Sequence, residues 1–188
     1  MSESDLRRLS QALRPRPAPG VGTAAAQQFC GDIDMRIARD GTWFYHGSPI
    51  GRKPLVKLFA SVLRRDPAGD YWLETPFEKC RISVEDAPFT AVEMFVEGEG
   101  DGRTIRFRTN IDDMVGVDGD HPIRVDTDRE SGEPAPYVRV REGLDALIVR
   151  SVFYDLVELG EEVGGPDGAT IVVRSGGAAF PLGPAGEG

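Results

Sequence analysis

Two segments of the chain share one pattern, in which a short hairpin is followed by an amphipathic segment that begins at an arginine. The first has an Asp-Gly turn at Asp40 and a helical segment from Arg52, and the second has Glu-Gly at Glu142 and a helical segment from Arg150. An internal repeat constrains a fold strongly, because each copy is one supersecondary unit. The pattern predicts a duplicated hairpin–helix–hairpin unit, with chance similarity as the alternative.

Apolar residues of the first helical segment recur at i, i+3, i+4, i+7 and i+8, which is the spacing of one buried helix face: Leu55, Leu58, Phe59, Val62 and Leu63. The second copy predicts a helix over 150–160 that ends at Gly160. Elsewhere short β-rich segments alternate with turns rich in Gly, Asp and Pro. The sequence therefore predicts an α+β fold that is β-rich.

Composition and pattern divide the chain into four predicted parts. Residues 1–27 are expected to be a tail, because prolines interrupt "RPRPAPG", with a short amphipathic helix over Ser4–Leu13. Residues 28–82 and 83–182 are predicted to form an N-terminal and a C-terminal lobe. Residues 183–188 are predicted to be a disordered end.

The charge balance restricts the classes of partner. Lys and Arg total 22 against 31 Asp and Glu, which gives a net charge of −9. An acidic surface repels the phosphate backbone, so we expect no nucleic-acid polymer as a partner, although a small local anion site remains compatible with this charge. No apolar run has the length of a signal peptide or a membrane span. The sequence therefore predicts a cytoplasmic protein without a membrane span.

The chain has two cysteines and two histidines, at Cys30, Cys80, His46 and His121. Neither cysteine lies in a C-x-x-C spacing or another spacing typical of metal ligands. We expect two buried free thiols, which suit a reducing cytosol, and no metal or other cofactor. A zinc site built from all four residues is the alternative.

The loop "HGSPIGRKP" contains two glycines and two basic residues in front of the first helical segment. Gly47 and Gly51 are four residues apart and Arg52 follows, so the loop matches neither a P-loop nor a dinucleotide-binding fingerprint. A helix N-terminus beside Arg52 and Lys57 still suits an anion. The alternative is an ordinary tight turn before a helix.

The segment "RTIRFRTN" predicts a strand with Arg106 and Arg108 on one face. Arginines on one face of a sheet suit a fork-shaped anion site. The alternative is a surface of ion pairs in which they contact Glu93, Glu97 or Glu142 of neighbouring strands.

"DGDHPIR" places His121 beside Asp120, so His121 is a candidate general base, and Glu78 is another. The sequence shows no motif of a nucleophile elbow or a zinc protease. A structural role for the histidine is the alternative, and we assign no catalytic residue.

Several long segments, in order, resemble a bacterial family, domain-of-unknown-function family 1285: "GDIDMRIARDGTWFYHGSPIGRKPLVKLFASVLRRD", "YWLETPFEKCRISVEDAPF", "FRTNIDD", "DHPIRV" and "YVRVREGLDALIVRSVFYDLVELG". The resemblance covers about residues 31–180. It implies two lobes on a duplicated core, the C-terminal one superficially similar to a pleckstrin-homology barrel. It implies no established activity, and it suggests a nucleotide-like ligand in a groove between the lobes and a role in signal transduction.

The positions that match the characteristic motifs of this family are the predicted ligand-binding residues: Arg52, Lys57, Thr75, Glu78, Lys79, Arg108, Asn110, His121, Arg150 and Tyr154. Tyr154 or Trp43 is a candidate for stacking on a base. We expect a non-enzymatic protein that binds a small anionic ligand. The alternatives are a protein-interaction scaffold and a hydrolase with His121 or Glu78 as its base.

Overall fold

β-Strands make up most of the regular structure in the computed structural model, which describes residues 28–128, 131–166 and 168–185. The predicted tail 1–27, with its Ser4–Leu13 helix, lies outside the described residues. Contacts divide the chain into two units between Asp86 and Ala87. The sequence placed this division at 82–83, but the strand that precedes it continues to Val84.

Unit 1 (residues 28–86) contains one sheet and one helix. Its elements are β1 (Gln28–Ile37), β2 (Trp43–Tyr45), β3 (Ser48–Pro49), α1 (Lys53–Ser61), β4 (Leu63–Arg65), β5 (Tyr71–Glu74) and β6 (Glu78–Val84). The strands follow the order β3-β2-β1-β6-β5-β4. Strands β1 and β6 are parallel, and the other neighbours are antiparallel.

The predicted hairpin at the start of unit 1 is confirmed. Ile37 of β1 lies opposite Trp43 of β2 in antiparallel register. Gly41 has φ +82°, a conformation that glycine adopts without a steric cost. The Asp40 carboxylate accepts the amide N–H of Thr42 at 2.9 Å, which closes the turn.

Helix α1 buries one face, as its period predicts. Leu55, Val56, Phe59 and Ala60 are buried, and the Phe59 ring stacks on Trp43 with centroids 6.2 Å apart. Burial of these apolar side chains stabilises the helix on the sheet, because a nine-residue helix is marginal on its own.

The predicted continuation of this helix through Val62 and Leu63 is wrong. The helix ends at Ser61, and Val62 is its C-cap residue. Leu63 begins β4 and lies opposite Leu73 of β5, where it is fully buried. Pairing with β5 buries Leu63 as completely as a helix would, so tertiary structure overrides the local period.

Unit 2 (residues 87–185) contains two sheets and one helix. Its elements are β7 (Phe89–Glu97), β8 (Thr104–Thr109), β9 (Met114–Gly116), β10 (Ile123–Thr127), β11 (Pro134–Arg141), β12 (Leu144–Ile148), α2 (Arg150–Glu158), β13 (Glu161–Gly165), β14 (Gly168–Ser175) and β15 (Ala178–Pro184). One sheet has the order β10-β11-β12-β7-β8-β9, and the other has the order β13-β14-β15. The resemblance of this unit to a pleckstrin-homology barrel stays a prediction.

A buried hydroxyl joins the two sheets of unit 2. Ser175 of β14 donates to the carbonyl of Val117 at 2.7 Å and accepts the amide of Ile105 at 2.9 Å. The chain end beyond it is more ordered than predicted, since β15 extends to Pro184, inside the segment 183–188 that was expected to be disordered.

The two units share part of their element order, and the duplication itself stays a prediction. Antiparallel strands precede each nine-residue helix, and a three-stranded antiparallel meander follows it. Aligning the first helical residues, Lys53 and Arg150, also aligns the buried pair Phe59 and Leu156. This alignment by burial lies one residue away from the predicted alignment of Arg52 with Arg150.

Candidate functional site

The ten predicted ligand-binding residues divide evenly between the two units. Unit 1 holds Arg52, Lys57, Thr75, Glu78 and Lys79, and unit 2 holds Arg108, Asn110, His121, Arg150 and Tyr154. The expectation that both sets serve one ligand stays a prediction.

Thr75 organises the turn between β5 and β6. Its buried hydroxyl accepts the amides of Phe77 at 3.3 Å and Glu78 at 3.0 Å, and it donates to the Glu78 carbonyl at 3.2 Å. The Thr75 amide also donates to this carbonyl at 2.8 Å. Since these bonds stay within the turn, the hydroxyl has a structural role here, and Glu78 enters the turn through its backbone.

Replacing Thr75 by valine is expected to lower the free energy of unfolding by about 1–3 kcal/mol, because two amides lose a buried acceptor in a side chain of the same shape. Thr75→Ser, which keeps the hydroxyl, should lose less. Urea denaturation of the three proteins measures the difference. Equal stability of the valine and serine variants would show that the hydroxyl does not hold the turn.

Arg108 and Asn110 contact neighbouring groups of unit 2. Arg108 donates to Glu93 at 2.6 Å and to Asp112 at 3.2 Å, and hydrogen bonding to Glu93 raises the pKa of its guanidinium. Arg106 pairs with Glu97. The interpretation of this strand face as a surface of ion pairs is confirmed for both arginines.

The Asn110 amide group likewise contacts the backbone. Its side-chain oxygen accepts the amide of Thr90 at 3.2 Å, and its own backbone N–H donates to the carbonyl of Thr90 at 2.9 Å. This reciprocal pair holds the end of β8 beside the start of β7. The residue therefore connects two strands.

His121 is positioned by one carboxylate. Asp118 accepts the backbone amides of His121 and Asp120, at 2.8 and 2.9 Å, and its oxygen lies 3.0 Å from Nδ1 of His121. Hydrogen bonding from His121 holds the pKa of the Asp118 carboxyl below its usual range. This arrangement is typical of a closed turn. It favours the structural role of His121, which the sequence analysis gave as the alternative to a general base.

Arg150 and Tyr154 contact each other across one turn of α2. The Nε–H of Arg150 donates to the Tyr154 hydroxyl at 2.9 Å, and its terminal nitrogen donates to Glu133 at 2.9 Å. Bonding to Glu133 raises the pKa of Arg150. Tyr154 is exposed, whereas Trp43 is fully buried against Phe59, so the prediction that Trp43 stacks on a ligand is wrong.

Arg52 and Lys57 are exposed at α1. Arg52 is the N-cap residue and its carbonyl accepts the amides of Leu55 and Val56. No side-chain hydrogen bond caps the helix. The loop before it thus serves as the entry to a helix, and a helix terminus alone does not establish a ligand site.

The two cysteines are joined, which corrects the expectation of two buried free thiols. Cys30 of β1 and Cys80 of β6 form a disulfide with Cα atoms 5.1 Å apart. Cys30 is exposed and Cys80 is half-buried. Sequence spacing missed this pair because the parallel pairing of β1 with β6 joins positions 50 residues apart. The cysteine argument for a reducing compartment no longer applies.

One face of the unit 1 sheet combines aromatic rings with a lysine. The ring centroids of Phe29 and Trp72 lie 5.7 Å apart, and the Lys79 ammonium lies 4.5 Å from the centroid of the same indole. Phe29 is 62% exposed. We call Phe29, Trp72 and Lys79 the aromatic–basic face.

Strand pairing brings these three side chains together. Phe29 of β1 lies opposite Lys79 of β6, and Trp72 lies on β5, which is the next strand. Lys79 was predicted from the family resemblance, but Phe29 and Trp72 were missed. Their signal is the alternation of Tyr71, Trp72 and Leu73, which places Trp72 on the opposite face of β5 from the buried Leu73.

The indole of Trp72 is fixed in place by a carboxylate. Its N–H donates to Asp66 at 2.8 Å, and this bond, with smaller contributions from backbone amides and Lys79, holds the pKa of Asp66 below its usual range. Lys79 forms no ion pair within the described part of unit 1. The face therefore offers a rigid ring and an ammonium group that no carboxylate neutralises at contact distance.

A neighbouring pocket of unit 1 has two acidic side chains in its lining, unlike the aromatic–basic face. It is an open pocket of about 460 Å³, and its lining includes Asp32, Asp70 and Arg81. Arg81 donates to Asp32 at 2.6 and 2.9 Å and to Asp70 at 3.4 Å. Since two carboxylates face one guanidinium, this pocket does not favour an anion.

Among residues 28–128, 131–166 and 168–185, no group of three or more His, Cys, Asp or Glu side chains could hold a metal ion. His46 pairs with Asp34 instead, at 3.2 Å. No helix in the same residues has the length and apolar character to cross a membrane.

Two domain families match the chain. Residues 25–87 match the family described as "Domain of unknown function (DUF1285), N-terminal domain", and residues 88–182 match "Protein of unknown function (DUF1285), C-terminal domain". Comparison with curated proteins found no match.

Two crystal structures of DUF1285 family proteins are similar to the chain. The protein from Silicibacter pomeroyi DSS-3 is 45% identical, with a TM-score of 0.81 over 94% of this chain and 95% of that one. The protein from Shewanella baltica OS155 is 26% identical, with a TM-score of 0.53 over 67% of this chain and 91% of that one.

Proposed function

The chain belongs to the DUF1285 family, whose two domains are described as having unknown function, and we propose that it is a non-enzymatic protein that binds a small anionic ligand with an aromatic ring, such as a nucleotide. The proposed site is the aromatic–basic face of unit 1. A role in signal transduction, in which ligand occupancy is passed to another component, is part of the same proposal.

The observation that carries this proposal is that the exposed ring of Phe29 and the half-buried Lys79 both contact the indole of Trp72. A ring with 62% of its surface exposed remains able to stack on a planar ligand. Stacking of a base on an aromatic side chain contributes about 1–3 kcal/mol. An ammonium without an ion-pair partner in the described residues suits a phosphate, because a charge-assisted hydrogen bond is stronger than a neutral one.

A binding role is supported over hydrolysis by the surroundings of the two candidate bases. His121 lies against Asp118 in a turn, and the Glu78 backbone closes another turn. No nucleophile motif accompanies either residue in the sequence. The net charge of −9 favours a small ligand over a nucleic-acid polymer. The acidic surface as a whole repels the phosphates of a polymer, whereas a mononucleotide contacts only the aromatic–basic face.

The second candidate function is a protein-interaction scaffold, and the exposure of two phenylalanines favours it. Phe29 and Phe77 are 62% and 51% exposed, and the Gln28 amide donates to the Phe77 carbonyl, so both lie where β1 meets β6. Exposed aromatic pairs are typical of protein contacts. A protein partner would need both rings, whereas the small ligand needs Phe29 and Lys79.

Titration with AMP, followed by tryptophan fluorescence, tests the proposal. Trp72 lies in the proposed site, and Trp43 is buried elsewhere in unit 1. AMP should change the emission until the site is saturated. Adenosine, which lacks the phosphate, and ribose 5-phosphate, which lacks the base, should each bind at least about tenfold more weakly. No saturable change with AMP or with any other nucleotide of a screen would contradict the proposal.

Lys79→Gln and Phe29→Ala are each expected to weaken AMP binding by about ten- to a hundredfold, because one loses a charged contact and the other loses a stacking surface. Arg139→Gln and Phe95→Ala are matched controls, since both side chains are exposed in unit 2. Isothermal calorimetry measures the four affinities. Equal loss in a control and in its test variant would remove the assignment to the aromatic–basic face.

A further inference from the structure

The disulfide lies directly beside the aromatic–basic face. Cys30 occupies a bulge of β1 between Phe29, which pairs with Lys79, and Gly31, which pairs with Cys80. It therefore follows the exposed ring immediately, while Cys80 follows the lysine immediately. The covalent bond thus joins the two backbone segments that present the face.

We propose that Cys30 and Cys80 are a reversible redox pair, opened by a dithiol reductant, and that reduction releases Phe29 from Trp72. The effect on ligand binding rests on the function proposed above, whereas the change in the position of Phe29 does not. The redox state of the pair then sets whether the stacking ring is held in place.

The exposure of Cys30 favours thiol–disulfide exchange at its sulfur. Cys30 is exposed and Cys80 is half-buried, so a reductant thiolate attacks the sulfur of Cys30 and the sulfur of Cys80 leaves as a thiolate, which takes up a proton. The second thiol of the reductant then attacks the mixed disulfide and releases Cys30 as a thiol. Two electrons and two protons pass to the protein, and the dithiol becomes a disulfide.

Backbone pairing with β6 also holds the part of β1 that carries Phe29, but a bulge interrupts it. The Gln28 amide donates to the Phe77 carbonyl at 2.8 Å, and the next side-chain contact along β1 is the pair of Asp32 with Arg81. The bulge at Cys30 interrupts the ladder between these points. A ladder interrupted by a bulge opens locally at a lower free-energy cost than a continuous one, so the disulfide beside the bulge adds to the constraint that pairing with Lys79 places on Phe29.

Thiol counting and fluorescence without any ligand test the proposal. The protein as isolated under air should contain no thiol that reacts with a maleimide, and dithiothreitol should produce two. Reduction should also shift the emission of the wild-type protein, and Trp72→Phe should abolish that shift. Two reactive thiols before reduction, or identical emission in both states, would overturn the proposal.

Serine variants separate the redox pair from general instability. Cys30→Ser/Cys80→Ser should show the emission of the reduced protein with and without dithiothreitol, and a normal far-ultraviolet circular dichroism spectrum confirms that it is folded. If it does not fold, wild-type protein alkylated after mild reduction takes its place. An alkylated or double-variant protein with the emission of the oxidised form would overturn the proposal.

Binding of AMP is a separate arm of the experiment. Oxidised protein should bind AMP at least about fivefold more tightly than the double variant, since only the oxidised form holds the stacking ring. If neither form binds AMP while the emission shift is present, the function proposed for the face fails and the redox pair stands. If both forms bind equally tightly, Phe29 is not under redox control.

Discussion

Phe59→Ala is expected to lower the free energy of unfolding by about 3–5 kcal/mol, because it removes a ring from the centre of unit 1 and leaves a cavity. Phe59 has no exposed surface, and its ring stacks on Trp43, which is also buried. This contact attaches helix α1 to the sheet, so its loss affects helix and hairpin together. Guanidinium denaturation, followed by circular dichroism, measures the change.

Phe77→Ala is the matched control for Phe59→Ala, since Phe77 belongs to the same unit and is 51% exposed. We expect it to change the free energy of unfolding by less than about 1 kcal/mol, as surface substitutions usually do. Similar losses in the two variants would contradict the assignment of Phe59 to the centre of the core.

Leu156→Ala is expected to lower the free energy of unfolding by about 2–5 kcal/mol. Leu156 is the fully buried residue of α2 that occupies the position of Phe59 when both helices are aligned at their first residues. Val157 is half-buried, so Val157→Ala should cost about 1 kcal/mol or less. Urea denaturation compares the two variants.

The same pair of variants tests how the two copies correspond. Aligning Arg52 with Arg150 matches Phe59 with Val157, whereas aligning the helix starts matches Phe59 with Leu156. A larger loss for Val157→Ala than for Leu156→Ala would restore the alignment of the arginines. A larger loss for Leu156→Ala supports the alignment that matches Phe59 with Leu156.

Local chemistry made part of the fold predictable. Asp40 and Gly41 supply a turn, and apolar alternation around them predicted the β1–β2 hairpin. Strand β4 was missed because Leu63 fits the helical period and the strand period equally well. Its assignment depends on Leu73, ten residues later, which no local pattern specifies.

Of the three residues of the aromatic–basic face, only Lys79 was predicted. Lys79 was predicted because the family resemblance includes it, whereas Phe29 is distant in sequence from Trp72, so no local pattern predicts their contact. Their contact depends on the parallel pairing of β1 with β6, a long-range arrangement. The same pairing explains why the disulfide of Cys30 with Cys80 was missed.

The resemblance also identified residues whose contacts are mainly structural. Thr75, Asn110 and His121 each bond to their own turn or to an adjacent strand. Their residue types are typical of ligand sites and also of turns. Sequence type alone cannot separate these roles, because the difference lies in which partner each polar atom meets.

The most direct measurement of the central claim is the NMR spectrum of the two indole N–H groups during titration with AMP. The signal of Trp72, identified by its loss in Trp72→Phe, should shift with saturation, because the ligand stacks beside a ring whose N–H is bonded to Asp66. The signal of the buried Trp43 should stay in place. A stationary Trp72 signal at saturating AMP would contradict ligand binding at the aromatic–basic face.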